Sequence, residues 1–502
     1  MLCSIVWMVT VAAMFTALSC QQLVADEVDT QVRPNVVIVL ADDLGYGDVQ
    51  AFNKDSNIPT PHLNALAKQG MMFTDAHSNS AVCTPTRYGL LTGRYCWRSR
   101  LKRGVLFPPK DAPLIENGRP TIASFLKKNG YQTAMVGKWH LGIGWQKSKQ
   151  PGDKKPKVDF NAPISDGPNE KGFDQWFGVA ASLDMVPYSF LRDHQLVEPV
   201  DETQERQGFP RFVRAGPKAS QFDPGDVLDA LASEAIKFID SAAKKEAPFF
   251  LYLPLTSPHK PAWPHERFVG KTTLGPYGDF VHQTDATIGQ VIDALDKNGV
   301  ADNTLVIVTS DNGSYMKRTK AGDKDHVELP TTQGYRAEHH RANGPWRGTK
   351  ADIWEAGHRV PFLVRWPGQV APDSSSDRAT VMTDIFATVA EVLGQKAPAE
   401  AEDSFSFLGS MKGLESPKRP PLILHSVGGM FAIRDGDWKL VLGNGSGGRE
   451  KPRGKPFEPP YFLANLAEDP AEATNRAEQQ SEVVGRLEES FKQIAGDWKN
   501  LR

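Results

Sequence analysis

The chain has 502 residues, 24 % of them charged, with a formal net charge of −2. That length accommodates a large α/β core plus a smaller domain. The near-neutral balance excludes a global basic field of the kind nucleic-acid binders carry, so any affinity for an anion must be local to a site; the 4 cysteines exclude a disulfide scaffold.

Residues 1–19 are apolar up to Ser19 and lead into a polar stretch. This is the pattern of a secretory signal, although it carries no Lys or Arg, with cleavage expected after Ala25 and a signal peptide over 1–25. The expectation is an exported protein, periplasmic or secreted. Ala17-Leu18-Ser19-Cys20 loosely matches a lipoprotein cleavage site, so lipid anchoring is the minor alternative. No later apolar run is long enough to span a bilayer. Cys3 and Cys20 fall in the leader, leaving Cys83 and Cys96, whose pairing would close only a short loop across a predicted helix.

The first predicted strand, Val36 to Ala41, runs into Asp42-Asp43. Thr60-Pro61 starts a helix that buries Leu63, Leu66 and Ala67 and stops at Gly70. Cys83-Thr84-Pro85-Thr86-Arg87 reads as a helix start, with Pro85 suited to the first helical position because its missing N–H is an orphan there. Arg87, four residues after Cys83, shares its face, and free helix N–H groups beside a guanidinium favour an anion or a reactive thiolate. A helix lined by Ile122, Phe125 and Leu126 ends at Gly130, and a strand over 133–136 leads into Lys138-Trp139-His140. On extended chain Lys138 and His140 point the same way. One can neutralise an oxyanion while the other moves protons; the bland alternative is a solvated strand end.

Residues 145–225, rich in Pro, Gly and charge, and the polar stretch 316–342 read as long loops over a cleft. Ser182 lies in the first of these. The strand 249–253 leads into Ser257-Pro258-His259, a helix carries the stripe Val281, Ile288, Val291, Ile292 and Leu295, and the strand 304–309 leads into Asp311-Asn312. Continuous apolar runs of this kind suit strands buried on both faces of a parallel sheet. Ligands in such folds bind beyond the carboxyl ends of the strands, where all four polar clusters stand. Asp42, Asp43, Asp311 and Asn312 supply hard oxygen ligands suited to Ca²⁺ or, second, Mg²⁺. Adjacent Asp42 and Asp43 would repel without a cation between them. Taken singly, each acidic pair also reads as a helix cap. After about residue 395 a predicted hairpin, 430–434 with 438–442, and an amphipathic helix through Val484, Leu487, Phe491, Ile494 and Trp498 indicate a small α+β domain.

The spacing from Cys83 through Arg87 to Thr92-Gly93 resembles the first signature of the sulfatase family, and Gly130 to His140 resembles its second. The resemblance covers residues 34 to about 390 and is most similar to arylsulfatases and N-acetylgalactosamine-6-sulfatases. It implies an alkaline-phosphatase-like fold, a large mixed, mostly parallel sheet, with the catalytic domain over 33–395 and the C-terminal domain over 396–502. It implies that a maturation enzyme oxidises Cys83 to formylglycine, whose hydrate attacks the sulfate ester of a sulfated carbohydrate or aryl sulfate. It further implies Ca²⁺ held by Asp42, Asp43, Asp311 and Asn312 and contacting position 83. Asp311 would take the nucleophile's proton and His140 that of the release step. Arg87, Lys138 and Lys350 would neutralise sulfuryl oxygens, and His259 with Lys350 would assist the departing alcohol. Ser182 matches a sulfate-contacting serine only locally, and a plain loop serine is its alternative. Thr349 and Ala356 stand where the family usually has glycine. The rival readings are a phosphodiester or phosphonate hydrolase of the same superfamily, a phosphatase using Thr84 or Thr86, and a non-catalytic protein that binds sulfated glycans.

Overall fold

Alternating side chains explain the centre of the molecule. In the strand Asn35–Asp42, Val37, Val39 and Ala41 enter one hydrophobic cluster while Val36, Ile38 and Leu40 enter another. Both faces of the strand are therefore covered, as a wound α/β sheet requires. A computed structural model describes residues 33–149, 154–496 and 498–501; the expected signal segment lies outside them.

The main sheet has ten strands. Five adjacent ones run parallel, in the spatial order Thr304–Ser310, Asn35–Asp42, Phe249–Pro258, Gln132–Lys138, Gln175–Val179. Phe362–Arg365 pairs antiparallel on one flank and Leu191–Arg192 on the other. The long helices Val227–Ala242 and Gly275–Lys297 pack on one face, where Leu231, Ile239, Val281, Ile288 and Val291 are buried. The four predicted strands thus form, and they are neighbours, so their four polar carboxyl-terminal clusters lie side by side. Among the described residues no helix is long and apolar enough to cross a membrane.

Three local expectations change. Gln175–Val179 joins the main sheet within a stretch read as loop: five residues flanked by Pro, Gly and charge carry too little pattern to register. The helix at Cys83 spans Cys83–Thr92, with Val82 as N-cap, so Pro85 is its third residue. Its absent N–H is still harmless there, since the first turn has no intrahelical acceptors. The last amphipathic helix, Ser481–Ala495, ends at Gly496, so Trp498 belongs to the separate short turn Trp498–Leu501.

A second sheet, of four antiparallel strands from Leu422–His425 to Phe462–Asn465, carries the expected hairpin, Phe431–Asp435 with Trp438–Val441. The Ser481–Ala495 helix buries Leu487 and Phe491 on it. Phe407, Leu408 and Met411 still pack with the large sheet's core. Pro34–Arg502 forms one compact unit.

Candidate active site

Strand ends, one helix start and one turn build the site: Cys83 opens the helix Cys83–Thr92, and Lys350 lies in a turn. The Asn35 strand delivers Asp42, and the chain then turns at Asp43, whose φ of 68° is left-handed. Successive residues on extended chain point to opposite faces; the left-handed Asp43 lets both carboxylates serve one place, at a strain of about 1–3 kcal/mol. The Gln132 strand ends at Lys138, and His140 has φ 57°. The expected alternation of Lys138 and His140 on extended chain therefore does not occur; the turn, rather than the pleat, brings the two together. Ala351, following Lys350, is also left-handed at φ 84°. Gly137 permits the approach of the neighbouring strand: a Cβ there would sit 1.9 Å from the Pro254 carbonyl oxygen.

Cys83 lies at the first turn of a helix whose residues are all buried. The Thr84 hydroxyl donates to the His140 carbonyl at 3.1 Å and accepts from the Leu106 N–H at 3.2 Å, pinning this turn to the Lys138–His140 segment. Thr84 thus holds the backbone and faces no free space. Cys83 and Cys96 are free thiols, so they form no disulfide.

The charges interlock. Lys138 Nζ donates to Asp42 Oδ2 at 2.6 Å. Lys350 Nζ bridges both Asp43 oxygens, at 2.6 and 2.8 Å, and stands 3.5 Å from Cys83 Sγ. Arg87, 0 % exposed, directs Nε and one terminal nitrogen to Asp311 Oδ2, at 3.0 and 2.7 Å, and the other to the Lys138 carbonyl at 2.8 Å. These bonds leave other N–H groups of the guanidinium free, and the nitrogen that meets Asp311 also stands 3.8 Å from Asp42 Oδ1; Arg87 thus positions Asp311 and adds positive charge beside the Asp42 carboxylate. Burial raises the Cys83 thiol to about 12, against the pull of Lys138 and Lys350. Burial and the neighbouring Asp42 likewise raise the Asp311 carboxyl.

The histidines have fixed faces. His140 Nε2 lies 3.0 Å from the Leu106 carbonyl, which can only accept, so the ring proton is assigned to Nε2. Nδ1 is then a bare acceptor, buried without a partner. Burial, then Lys138 and Arg87, holds His140 well below the usual range. His259 Nδ1 donates to the Lys260 carbonyl, leaving Nε2 3.7 Å from Asp43 Oδ2. Burial, then Lys350 and Lys138, depresses it as well.

Asp42, Asp43, Cys83 and His259 offer ligand atoms within 4.8 Å of one another. Asp42 Oδ1 and Asn312 Oδ1 are buried without hydrogen-bond partners, while Asn312 Nδ2 donates to Asp43 Oδ1 at 2.6 Å. Unpartnered hard oxygens beside carboxylates fit a Ca²⁺-like cation and not a soft thiolate site. Three carboxylates here face three cationic side chains, so a divalent ion would leave the centre positive and attractive to an anionic ester. Ser182 is buried with an unpartnered hydroxyl in the turn after the Gln175 strand, and among the described residues no hydrogen bond joins it to the Cys83 cluster.

Tyr315 escaped sequence reasoning. Its ring lies edge-on to His259, centroids 6.4 Å apart, and its hydroxyl is buried without a partner. The triplet Asn312-Gly313-Ser314 before it draws attention to the acid end of the strand, and nothing local marks the tyrosine.

Carboxylates and Lys138 from adjacent strand ends, Lys350 from a turn, and two oriented imidazoles gather at one helix start, an arrangement suited to hydrolysis of an anionic ester. Comparison with known proteins sharpens this. The family model described as Sulfatase matches residues 34–395, and the chain belongs to that family of sulfuric ester hydrolases. It is 33% identical to an N-acetylgalactosamine-6-O-sulfatase of Bacteroides thetaiotaomicron, over 94% of this chain and 95% of the relative. It is 30% identical to human arylsulfatase A, over 88% of this chain and 83% of that protein. A solved structure from work on the metabolism of multiple glycosaminoglycans by Bacteroides thetaiotaomicron superposes with a TM-score of 0.79 at 31% identity, covering 92% of this chain and 99% of that one.

Proposed function

We propose that this sulfatase removes sulfate from a sulfated carbohydrate, with a formylglycine formed from Cys83 and a Ca²⁺ ion, and that the 6-O-sulfate of N-acetylgalactosamine is the first substrate to test. The observation that carries the reading is Lys350, which touches both Asp43 and Cys83 and so ties the cation-fitting oxygens to the helix-start nucleophile. The named relatives direct it toward sugars. When present, formylglycine supplies an aldehyde hydrate with one hydroxyl for attack and one for release, and the divalent ion supplies positive charge at Asp42, Asp43, Asp311 and Asn312.

The chain's own residues do the rest. Lys138 and Lys350 offset the charge of the sulfuryl oxygens. Asp311, made more basic by burial and Asp42, accepts the proton of the attacking hydroxyl. Arg87 holds that carboxylate in place. His140 Nδ1, bare and fixed by the Leu106 carbonyl, takes the proton in the release step. His259 Nε2 delivers a proton to the departing alcohol; burial first and the two lysines second keep the ring neutral, and an anion lying between it and the lysines offsets the lysines' part. Ser182 is a further sulfate contact to test by substitution. We take 1–25 as signal, 33–395 as catalytic domain and 396–502 as C-terminal domain of an exported protein.

The test is mass spectrometry of the Cys83 peptide from the native host, with turnover of N-acetylgalactosamine 6-sulfate, an aryl sulfate, a phosphodiester and a phosphonate ester. The reading expects an aldehyde at position 83 and the highest kcat/KM on the sulfated sugar. An unmodified thiol in active protein, or full activity in Cys83→Ala, refutes the mechanism; faster phosphonate or phosphodiester turnover refutes the substrate class.

A further inference from the structure

A cavity of about 620 Å³ shares a wall with the site. It falls within the roughly 300–1,000 Å³ of small-molecule pockets. Tyr315, whose ring faces His259, and Thr349, adjacent to Lys350, form the shared wall. The far side combines Lys317 and Arg318 with Arg449 from the C-terminal part of the chain.

The carboxylates of this cavity are already occupied. Glu450 pairs with Arg347 at 2.6 Å. Asp352 accepts backbone N–H groups of Thr349, Arg449 and Glu450. By contrast, Lys317, Arg318 and Arg449 form no ion pair among the described residues. Arg449 reaches only the Tyr315 carbonyl, at 3.4 Å, and Arg318 the Gly344 carbonyl, at 3.0 Å. The Tyr315 hydroxyl, on a side chain 1 % exposed, has no partner at all. Lys317, Arg318 and Arg449 are exposed, so water screens their mutual repulsion, and together they present unpaired positive charge to one concavity beside the proposed sulfate-ester site.

We infer that this cavity is a subsite for a second anionic group, a carboxylate or a sulfate, on the sugar adjoining the one that is desulfated. The inference rests on the proposed carbohydrate reading and deepens it: the preferred substrate is an acidic oligosaccharide, and Arg449 and Lys317 set that preference. With the reacting sulfate at Cys83 and Lys350, the next sugar passes Tyr315 and Thr349 and presents its charge to Arg449.

The experiment uses four compounds sharing one sulfated sugar: the monosaccharide itself, and that sugar linked to a neutral hexose, to a hexuronate, and to a sulfated hexose. The readout is the ratio of kcat/KM for each acidic disaccharide to that for the neutral one. The ratio is expected on the order of tenfold or more, the scale of one hydrogen bond to a charged group, carried mainly by KM and shrinking at high ionic strength. The hexuronate and sulfated arms tell which anion fits. Arg449→Ala and Lys317→Ala should move the ratio toward one. A ratio near one in the wild type, or one that neither substitution alters, overturns the subsite while leaving the sulfatase reading intact. Turnover of an aryl sulfate with none of the four sugars removes the carbohydrate reading and the subsite with it.

Discussion

Replacing Arg87 with glutamine separates support from substrate contact. The guanidinium is fully buried and gives two hydrogen bonds to Asp311 Oδ2 and one to the Lys138 carbonyl. Its loss leaves the Asp311 carboxylate one hydrogen bond, from the Asp43 N–H at 3.2 Å, with the repulsion of Asp42 opposed only by Lys138 and Lys350. Breaking one side of such a buried pair costs about 3–5 kcal/mol. At about 2.1 cal/mol/K per residue, a unit of this size loses on the order of one degree of Tm per kcal/mol, so a drop of about 3–5 °C is expected. Urea unfolding in chelator, at matched m-value, measures the same loss as a fall in midpoint. The double variant Arg87→Gln with Asp311→Asn should recover about 2 kcal/mol of it as coupling. On sulfate esters Arg87→Gln should lower kcat by about 10²–10³ with little change in KM, because the misplaced groups act in the transition state. Additive stabilities, or a rise in KM at unchanged kcat, would refute the positioning role and restore Arg87 as a direct sulfate ligand.

Lys350→Met removes the bridge between Asp43 and Cys83 and should lower kcat on the order of 10²–10³; steady-state kinetics on one sulfate ester checks it. Chelation should abolish activity and lower the melting temperature, with Ca²⁺ restoring both better than Zn²⁺, as the oxygen donor set requires. His425, fully buried, has its pKa lowered to about 4 by burial, only partly offset by a hydrogen bond with the Lys102 backbone. The unfolded chain, at about 6.5, binds that proton first. Its contribution is therefore intact above pH ~6.5 and lost as pH falls toward 4, by about 3 kcal/mol. His425→Phe should flatten that part of the stability profile, read from urea midpoints between pH 4 and 7.

The strands and their acidic or basic ends were legible because each is a short apolar run followed at once by charged residues. The proposed nucleophile stood out because Cys83, Pro85 and Arg87 keep a spacing that little else would demand. What Arg87 holds was not, since its partner Asp311 lies 224 residues away and only the sheet order brings them together. The left-handed turns at Asp43 and His140 were hidden for a different reason: Asp and His adopt such a φ more often than most residues, but far less often than glycine, so the residue types alone do not announce the turn. The cavity beyond Tyr315 joins segments around residues 315, 349 and 449, whose individual patterns are unremarkable.

The burial of the Cys83–Arg87 turn also imposes a chronology. Cys83 is 2 % exposed and Arg87 0 % exposed, and Pro85 lies among them in a helix with no exposed residue. The strand that closes over Arg87, Thr304–Ser310, leaves the ribosome more than two hundred residues later. If Cys83 is converted to formylglycine as proposed, the enzyme that oxidises it has to meet these side chains while the chain is still open. A cation can enter a finished fold; this alteration has to come first. On the proposed mechanism, protein made without that encounter would fold but be inert, and a cation added afterwards would not rescue it.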